Sequence, residues 1–181
     1  MKIVSKFLFL ALLCSTILGS SRKVSGQTPY QENGAISERE VKVQLEALGY
    51  TVTEHIDTNG AKRFSVPVLW NGRTYPLGVG FSADKSMVWL YLNLIKIEKP
   101  ENSGGRFQKL LENNYTLGAS TFSYNPNTQL LMLHRPIDNR GITAKILDDK
   151  IDRILRGVES TRADWDFDWN LPISASARQG K

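Results

Sequence analysis

The chain has 181 residues, of which 41% are hydrophobic and 23% charged, with one cysteine and a formal net charge of +5. That length suits a single domain with a proper core, and the composition excludes a disordered or fibrous chain. The charge is uneven. Lys2, Lys6, Arg22 and Lys23 precede residue 27 with no acid among them, so residues 27–181 carry only +1 and no basic nucleic-acid surface is implied.

At the N-terminus, Lys2 and Lys6 form a basic stretch ahead of an uncharged apolar run from Phe7 to Leu18. The run is too short for a bilayer core. Small residues follow, and Val24-Ser25-Gly26 fits a small-x-small cleavage site; a cut after Gly19 is the alternative. The pattern predicts a cleavable export signal over 1–26, a periplasmic or secreted protein, and no integral membrane segment after cleavage. Cys14 would leave with the signal, so no disulfide and no thiol chemistry are expected in the mature chain.

Residues 27–36 read as a flexible polar lead-in, and a domain is expected over 37–160. Ser37-Glu38-Arg39-Glu40 is a capping box, which predicts a helix with Val41, Leu45 and Leu48 on one face and Gly49 as its stop. The period then becomes two. Tyr50, Val52 and Ile56 open a β region, and Asp57-Thr58-Asn59-Gly60 is a turn. Phe64, Val66, Val68 and Trp70 alternate with Ser65, Pro67 and Leu69. Asn71-Gly72 predicts a hairpin with Tyr75–Phe81 as its return strand. Pro67 and Pro76 lack amide donors and predict a place at a sheet edge.

Met87 to Ile97 is apolar on both sides, with Val88, Leu90, Leu92 and Leu94 alternating with Met87, Trp89, Tyr91, Ile95 and Ile97. It should be the central strand. A domain this small has helices for only one face, which leaves the Trp89 and Tyr91 side as a candidate partner surface. A helix from about Arg106 to near Asn114 follows. Two strands pair across Asn125-Pro126-Asn127-Thr128. A last helix from Thr143 carries Ile146, Leu147, Ile151, Ile154, Leu155 and Val158 as its stripe. The expected fold is α+β, one antiparallel sheet of five to six strands with helices packed on it, in the order α-β-β-β-β-α-β-β-α.

Residues 161–181 form a separate C-terminal segment in which Asp164, Asp166 and Asp168 alternate with Trp165, Phe167 and Trp169. Read as a strand, it puts three aromatics on one face. Either they dock on their own domain or they offer a ridge to a partner. Ile173 to Lys181 reads as a frayed tail.

Catalytic and metal chemistry find no motif. His55 and His134 lack the convergent ligands that zinc needs. No serine stands in a nucleophile elbow, and Gly78-Val79-Gly80 is only a fragment of a phosphate loop, better read as a strand with room for close packing. Neither an enzyme, nor a metal, nor a cofactor is expected. Asn114-Tyr115-Thr116 fits a glycosylation sequon; otherwise Asn114 reads as a helix C-cap.

The order of elements, and within it Leu110-Leu111-Glu112-Asn113-Asn114-Tyr115, a strand with Phe122, a hairpin, Leu130-Leu131-Met132-Leu133-His134-Arg135-Pro136 and the amphipathic helix from Thr143, resembles the type III secretion chaperone-like superfamily, which includes the bacterial YbjN-like proteins. The resemblance covers about residues 37 to 160. It implies a helix–sheet–helix domain, often dimeric, that holds a partner polypeptide and brings no catalytic residue. The expected function is therefore an exported, non-enzymatic protein-binding module. Its candidate partner-binding residues are Trp89, Tyr91, Trp165, Phe167 and Trp169, with a second copy as an alternative partner. A sensor or carrier with a small-ligand pocket between sheet and helices is the rival reading.

Overall fold

In the computed structural model, residues 34–58 and 60–169 are described. The expected signal, most of the lead-in and the tail lie outside them. Three helices, α1 (Glu38–Ala47), α2 (Arg106–Thr116) and α3 (Ala144–Ser160), pack on six strands, β1 (Thr53–Ile56), β2 (Lys62–Trp70), β3 (Arg73–Phe81), β4 (Met87–Lys96), β5 (Thr121–Asn125) and β6 (Leu130–Asp138). The sheet is antiparallel throughout, in the order β1-β2-β3-β4-β6-β5. The α+β class and the element order agree with the sequence reading. Among the described residues no helix is long and apolar enough to cross a membrane.

The local signals act as their chemistry requires. Ser37 and Glu40 close the capping box from both sides, and Thr143 caps α3 by accepting from the Ile146 N–H. Asn71 and Gly72 both have positive φ, 47° and 77°, which makes the hairpin turn type I′. The C-cap of α2 is Leu117, so Asn114 lies inside the last turn and has another task, described below.

The two hairpin prolines do not put β2 and β3 at the edge, because β1 pairs outside β2. Pro67 and Pro76 stand opposite each other, and bonding alternates outward from the turn, so theirs is a non-hydrogen-bonded pair. Each directs its donorless nitrogen away from the other. β1 pairs β2 only as far as Ser65, and β4 pairs β3 only from Leu77, so neither neighbour has a ladder bond to lose. The distal half of the hairpin simply overhangs both.

Alternate strand residues form the core. Phe64, Val66, Val68, Leu77, Val79, Val88, Leu90, Leu92, Leu131 and Leu133 join Val41 and Leu45 of α1, Leu110 of α2, and Leu147, Ile151, Ile154, Leu155 and Val158 of α3 in one buried cluster. Ile146, expected in the α3 stripe, is at its rim and 36% exposed. Asn139 is a buried polar tie: its amide bonds both Ile36 backbone groups and the Lys85 carbonyl, fixing the chain ahead of α1 to the turn between β3 and β4. Ala35 bridges to Arg140, so the lead-in is already paired before the helix begins.

Candidate functional site

All three helices use one face of the sheet. The other face carries the intervening residues, and no described element covers it. β4 runs through its middle, placing Trp89 opposite Gly80 and Tyr91 opposite Gly78 on β3, with Pro136 and His134 opposite them on β6. Tyr91 lies flat on the bare backbone of β3: a Cβ built at Gly78 would fall 2.1 Å from Tyr91 Cε2, and one at Gly80 3.8 Å from Cε1. The glycine pair is therefore a floor for an aromatic ring, an arrangement in which the ring shields backbone that glycine leaves open. The close-packing reading of Gly78-Val79-Gly80 accounts for it.

Trp89 meets His134 edge to face, with centroids 5.3 Å apart at 61°. Burial lowers the His134 pKa, and its Nδ1 has no protein partner. Arg63 reaches in from β2 and is held by Asp57 at 2.7 Å. Three concavities of about 440, 640 and 280 Å³ open on this face, and Tyr91 and Arg63 line all three. The first is otherwise walled by apolar and neutral polar groups, among them Met132, Leu130, Asn93 and Ser123; the second adds the charged Glu38, Asp57, Lys62 and Lys85, and the third Asp57, Ser65 and Pro76. Among the described residues no group of three histidines or acids is placed to hold a metal. His55 is exposed on the edge strand β1, away from His134.

The C-terminal aromatics are elsewhere. Residues 161–169 form no strand: a 3-10 turn, Arg162–Asp164, leads into a strap along α2. Trp165 is 4% and Trp169 1% exposed. Each indole N–H donates to a backbone carbonyl of its own domain, Val158 and Trp165 respectively, at 3.0 Å. Phe167 stacks on Trp169 beneath the Arg106 guanidinium. Of the two readings of this segment, the structure takes the self-docked one, and the buried indoles have no surface to offer. Sequence reasoning thus found Trp89 and Tyr91 but not Arg63, Met132 or His134 beside them. The missing signal is the strand register, which no local pattern encodes.

Asn114 is a strand-edge plug. Its Nδ2 donates to the Phe122 carbonyl at 3.3 Å and its Oδ1 accepts from the Phe122 N–H at 2.6 Å, as a neighbouring strand would. β5 pairs only with β6, and this amide occupies its outer edge. A glycan on Nδ2 would displace that contact.

No family model matches the sequence, and no curated protein is similar to it. Among solved structures, an uncharacterized protein from Methanothermobacter thermautotrophicus matches with a TM-score of 0.53 and 16% identity, over 70% of this chain and 94% of its own. At that identity the likeness shows the fold. The HopA1–SchA chaperone–effector complex matches with a TM-score of 0.46 and 12% identity, over 67% of this chain and 88% of its own. The ExsC–ExsE complex matches with a TM-score of 0.49 and 16% identity, over 68% and 92%.

Proposed function

We propose that the chain is an exported, non-enzymatic protein-binding module of chaperone-like kind, and that it holds a partner polypeptide against the uncovered sheet face around Trp89 and Tyr91. The observation that carries this reading is the face itself: the Trp89 and Tyr91 rings stand at the centre of the sheet beside Met132 and Leu130, with polar groups around them, and no helix among the described residues covers them. Soluble proteins seldom leave such a surface without a use. Partner side chains would settle between the fixed rings of Trp89 and Tyr91, which lose little freedom on binding. Pairing at a sheet edge is the weaker route. β1 is four residues long, the overhanging β2 contains Pro67, and the β5 edge carries the Asn114 plug.

The test is crosslinking of the tagged chain in its native cell envelope. A specific partner should be captured, and lost when Trp89→Ser and Tyr91→Ser are combined in a variant that keeps its circular dichroism spectrum. Capture that survives both substitutions removes this face from the reading. Light scattering separates a foreign partner from a second copy. The mass of the protein recovered from the envelope checks export, with loss of residues 1–26 expected.

A small-ligand carrier is the second reading. The two larger concavities have the volume of ligand pockets; Arg63 adds a polar group to both and His134 to the smaller of them. Native mass spectrometry would show a copurifying molecule.

A further inference from the structure

The uncovered face has one charge near its centre. Of the described strand residues on this side of the sheet, only Arg63, Lys96 and Asp138 are charged, and the last two sit at strand ends, paired with Glu98 and Arg140. The stem of Arg63 crosses the second glycine of β3: a Cβ built at Gly80 would stand 3.8 Å from Arg63 Cγ, as it would from Tyr91 Cε1. Stem and ring therefore meet above bare backbone. At the head, Asp57 takes one nitrogen, Nη2, at 2.7 Å. A guanidinium carries five N–H donors in a fixed fork, and more than half of this side chain is exposed, so donors remain for a second acceptor. Arg63 lines all three concavities, whereas Asp57 lines only the second and third; of the described residues around the first, Arg63 alone is charged. Lys62 and Lys85 line only the second, where Glu54 and Glu38 hold them.

Resting on the reading of this face as a polypeptide-binding surface, we propose that Arg63 selects an acidic partner segment. An aspartate or glutamate of the segment lays its carboxylate on the remaining N–H groups of Arg63, and an apolar side chain beside it fills the first concavity against Trp89, Tyr91, Leu130 and Met132. Charge complementarity is the first argument. An acid entering the first concavity meets one cation and no carboxylate of its wall, and a basic group meets the cation alone. A neutral segment would bury the guanidinium without an acceptor, which costs the desolvation of its donors. Fixed geometry is the second argument. Asp57 holds the head and Gly80 gives the stem its floor, so capture of a carboxylate orders little that is not already ordered. Residue type is the third, since Arg, Trp and Tyr are the side chains that carry most of the binding energy at protein interfaces. A carboxylate on Arg is also the stronger, charge-assisted kind of hydrogen bond, and the rings beside it keep water from one side.

The test measures binding of the tagged full chain to three libraries of short blocked peptides, identical but for a central glutamate, glutamine or lysine among leucine, phenylalanine and serine. The glutamate library should bind about tenfold more tightly than the glutamine library, the worth of one hydrogen bond to a charged group, and the lysine library most weakly. Arg63→Gln should bring glutamate and glutamine to one affinity, and Arg63→Lys should keep part of the gap. A gap that persists undiminished in Arg63→Gln overturns the proposal. Equal affinity for glutamate and glutamine in the unaltered chain, with both lost in Trp89→Ser, overturns the acidic selection and leaves the polypeptide reading of the face standing. A glutamate preference that survives Trp89→Ser combined with Tyr91→Ser places the acid elsewhere and overturns both. If N-acetylglutamate alone binds as tightly as the glutamate library, the site takes a small carboxylate and the polypeptide occupant falls. Binding of no library overturns the proposal, while the envelope crosslinking still decides the face.

Discussion

Consecutive residues of β4 live in different worlds. Val88, Leu90 and Leu92 are 0% exposed beneath the helices, whereas Trp89 and Tyr91 between them are only half-buried and Asn93 is exposed. The covered face is mainly aliphatic, with Phe64, Tyr75 and Phe122 among it, and is closed by other elements. The uncovered face closes itself in part, with Tyr91 lying across Gly78 and Trp89 leaning on His134. Stability therefore belongs mainly to one side of the sheet, and the other side is free to carry groups that a core would not tolerate.

The strap offers the most severe way to break that division. A chain ending at Ser160 loses the buried Trp165 and Trp169 while leaving the uncovered face untouched. Truncating one buried Trp costs about 3–5 kcal/mol, and a whole domain is stable by only about 5–15 kcal/mol. The shortened chain should fail to fold, read by circular dichroism. A cooperative urea transition close to that of the full chain would show that the strap is dispensable. Next in size is Leu90→Ala, expected to cost about 2–5 kcal/mol in urea unfolding. Trp89→Ala, one residue away on the opposite face, should cost clearly less. Equal losses would erase the contrast between the faces.

Gly78→Ala probes the uncovered face from within. The new methyl collides with the Tyr91 ring, and overpacking of this kind costs about 1–3 kcal/mol. Adding Tyr91→Ala should recover part of that loss, so the two changes are non-additive in a double-mutant cycle. Additive losses would mean that the ring simply swings away and is no fixed part of the surface. Smaller again is Asn114→Ala, which removes two hydrogen bonds from the β5 edge, each worth about 0.5–1.5 kcal/mol. Faster amide exchange at Phe122 with little change elsewhere is the expected signature.

These contrasts also mark what the sequence could reveal. Period-two alternation in Phe64–Trp70 and Met87–Ile97, the capping box at Ser37 and the stripe of α3 are local, and they gave the elements in the right order. The insertion of β6 between β4 and β5 is not local, nor is the pairing of Gly78 with Tyr91 that makes the glycine legible as a ring floor. Asn114 and Asn139 bond backbone of other elements, 8 residues away in one case and 54 and 103 in the other, so neither announces its role. The aromatic alternation of 165–169 is strand-like, yet a strand needs a partner edge. With β5 plugged by Asn114, burial of the indoles against α2 won instead.

The finest test of the two faces is His134. Burial lowers its pKa below the ordinary 6.5. Above that value the folded and unfolded chains both hold it neutral. As the pH falls past it, the unfolded chain takes up the proton first, so stability present at neutral pH is lost toward the lower folded-state value. Asp84, held down to about 2 by Ser82 and Ser86, acts in the same direction, as do Asp138 and Asp149, but only as pH falls into the ordinary carboxylate range of about 4 and below. The interval between pH 7 and 5 therefore isolates the histidine, and His134→Phe should flatten the urea midpoint across it. A partner seated on this face would bury His134 further and lower its pKa again. Partner affinity should then also weaken with acid, at a lower pH than stability does, because its window opens only at the already lowered pKa of the unbound protein, and the substitution should abolish that dependence. Binding that ignores pH down to the acid limit of folding would mean that the partner does not bury His134 further.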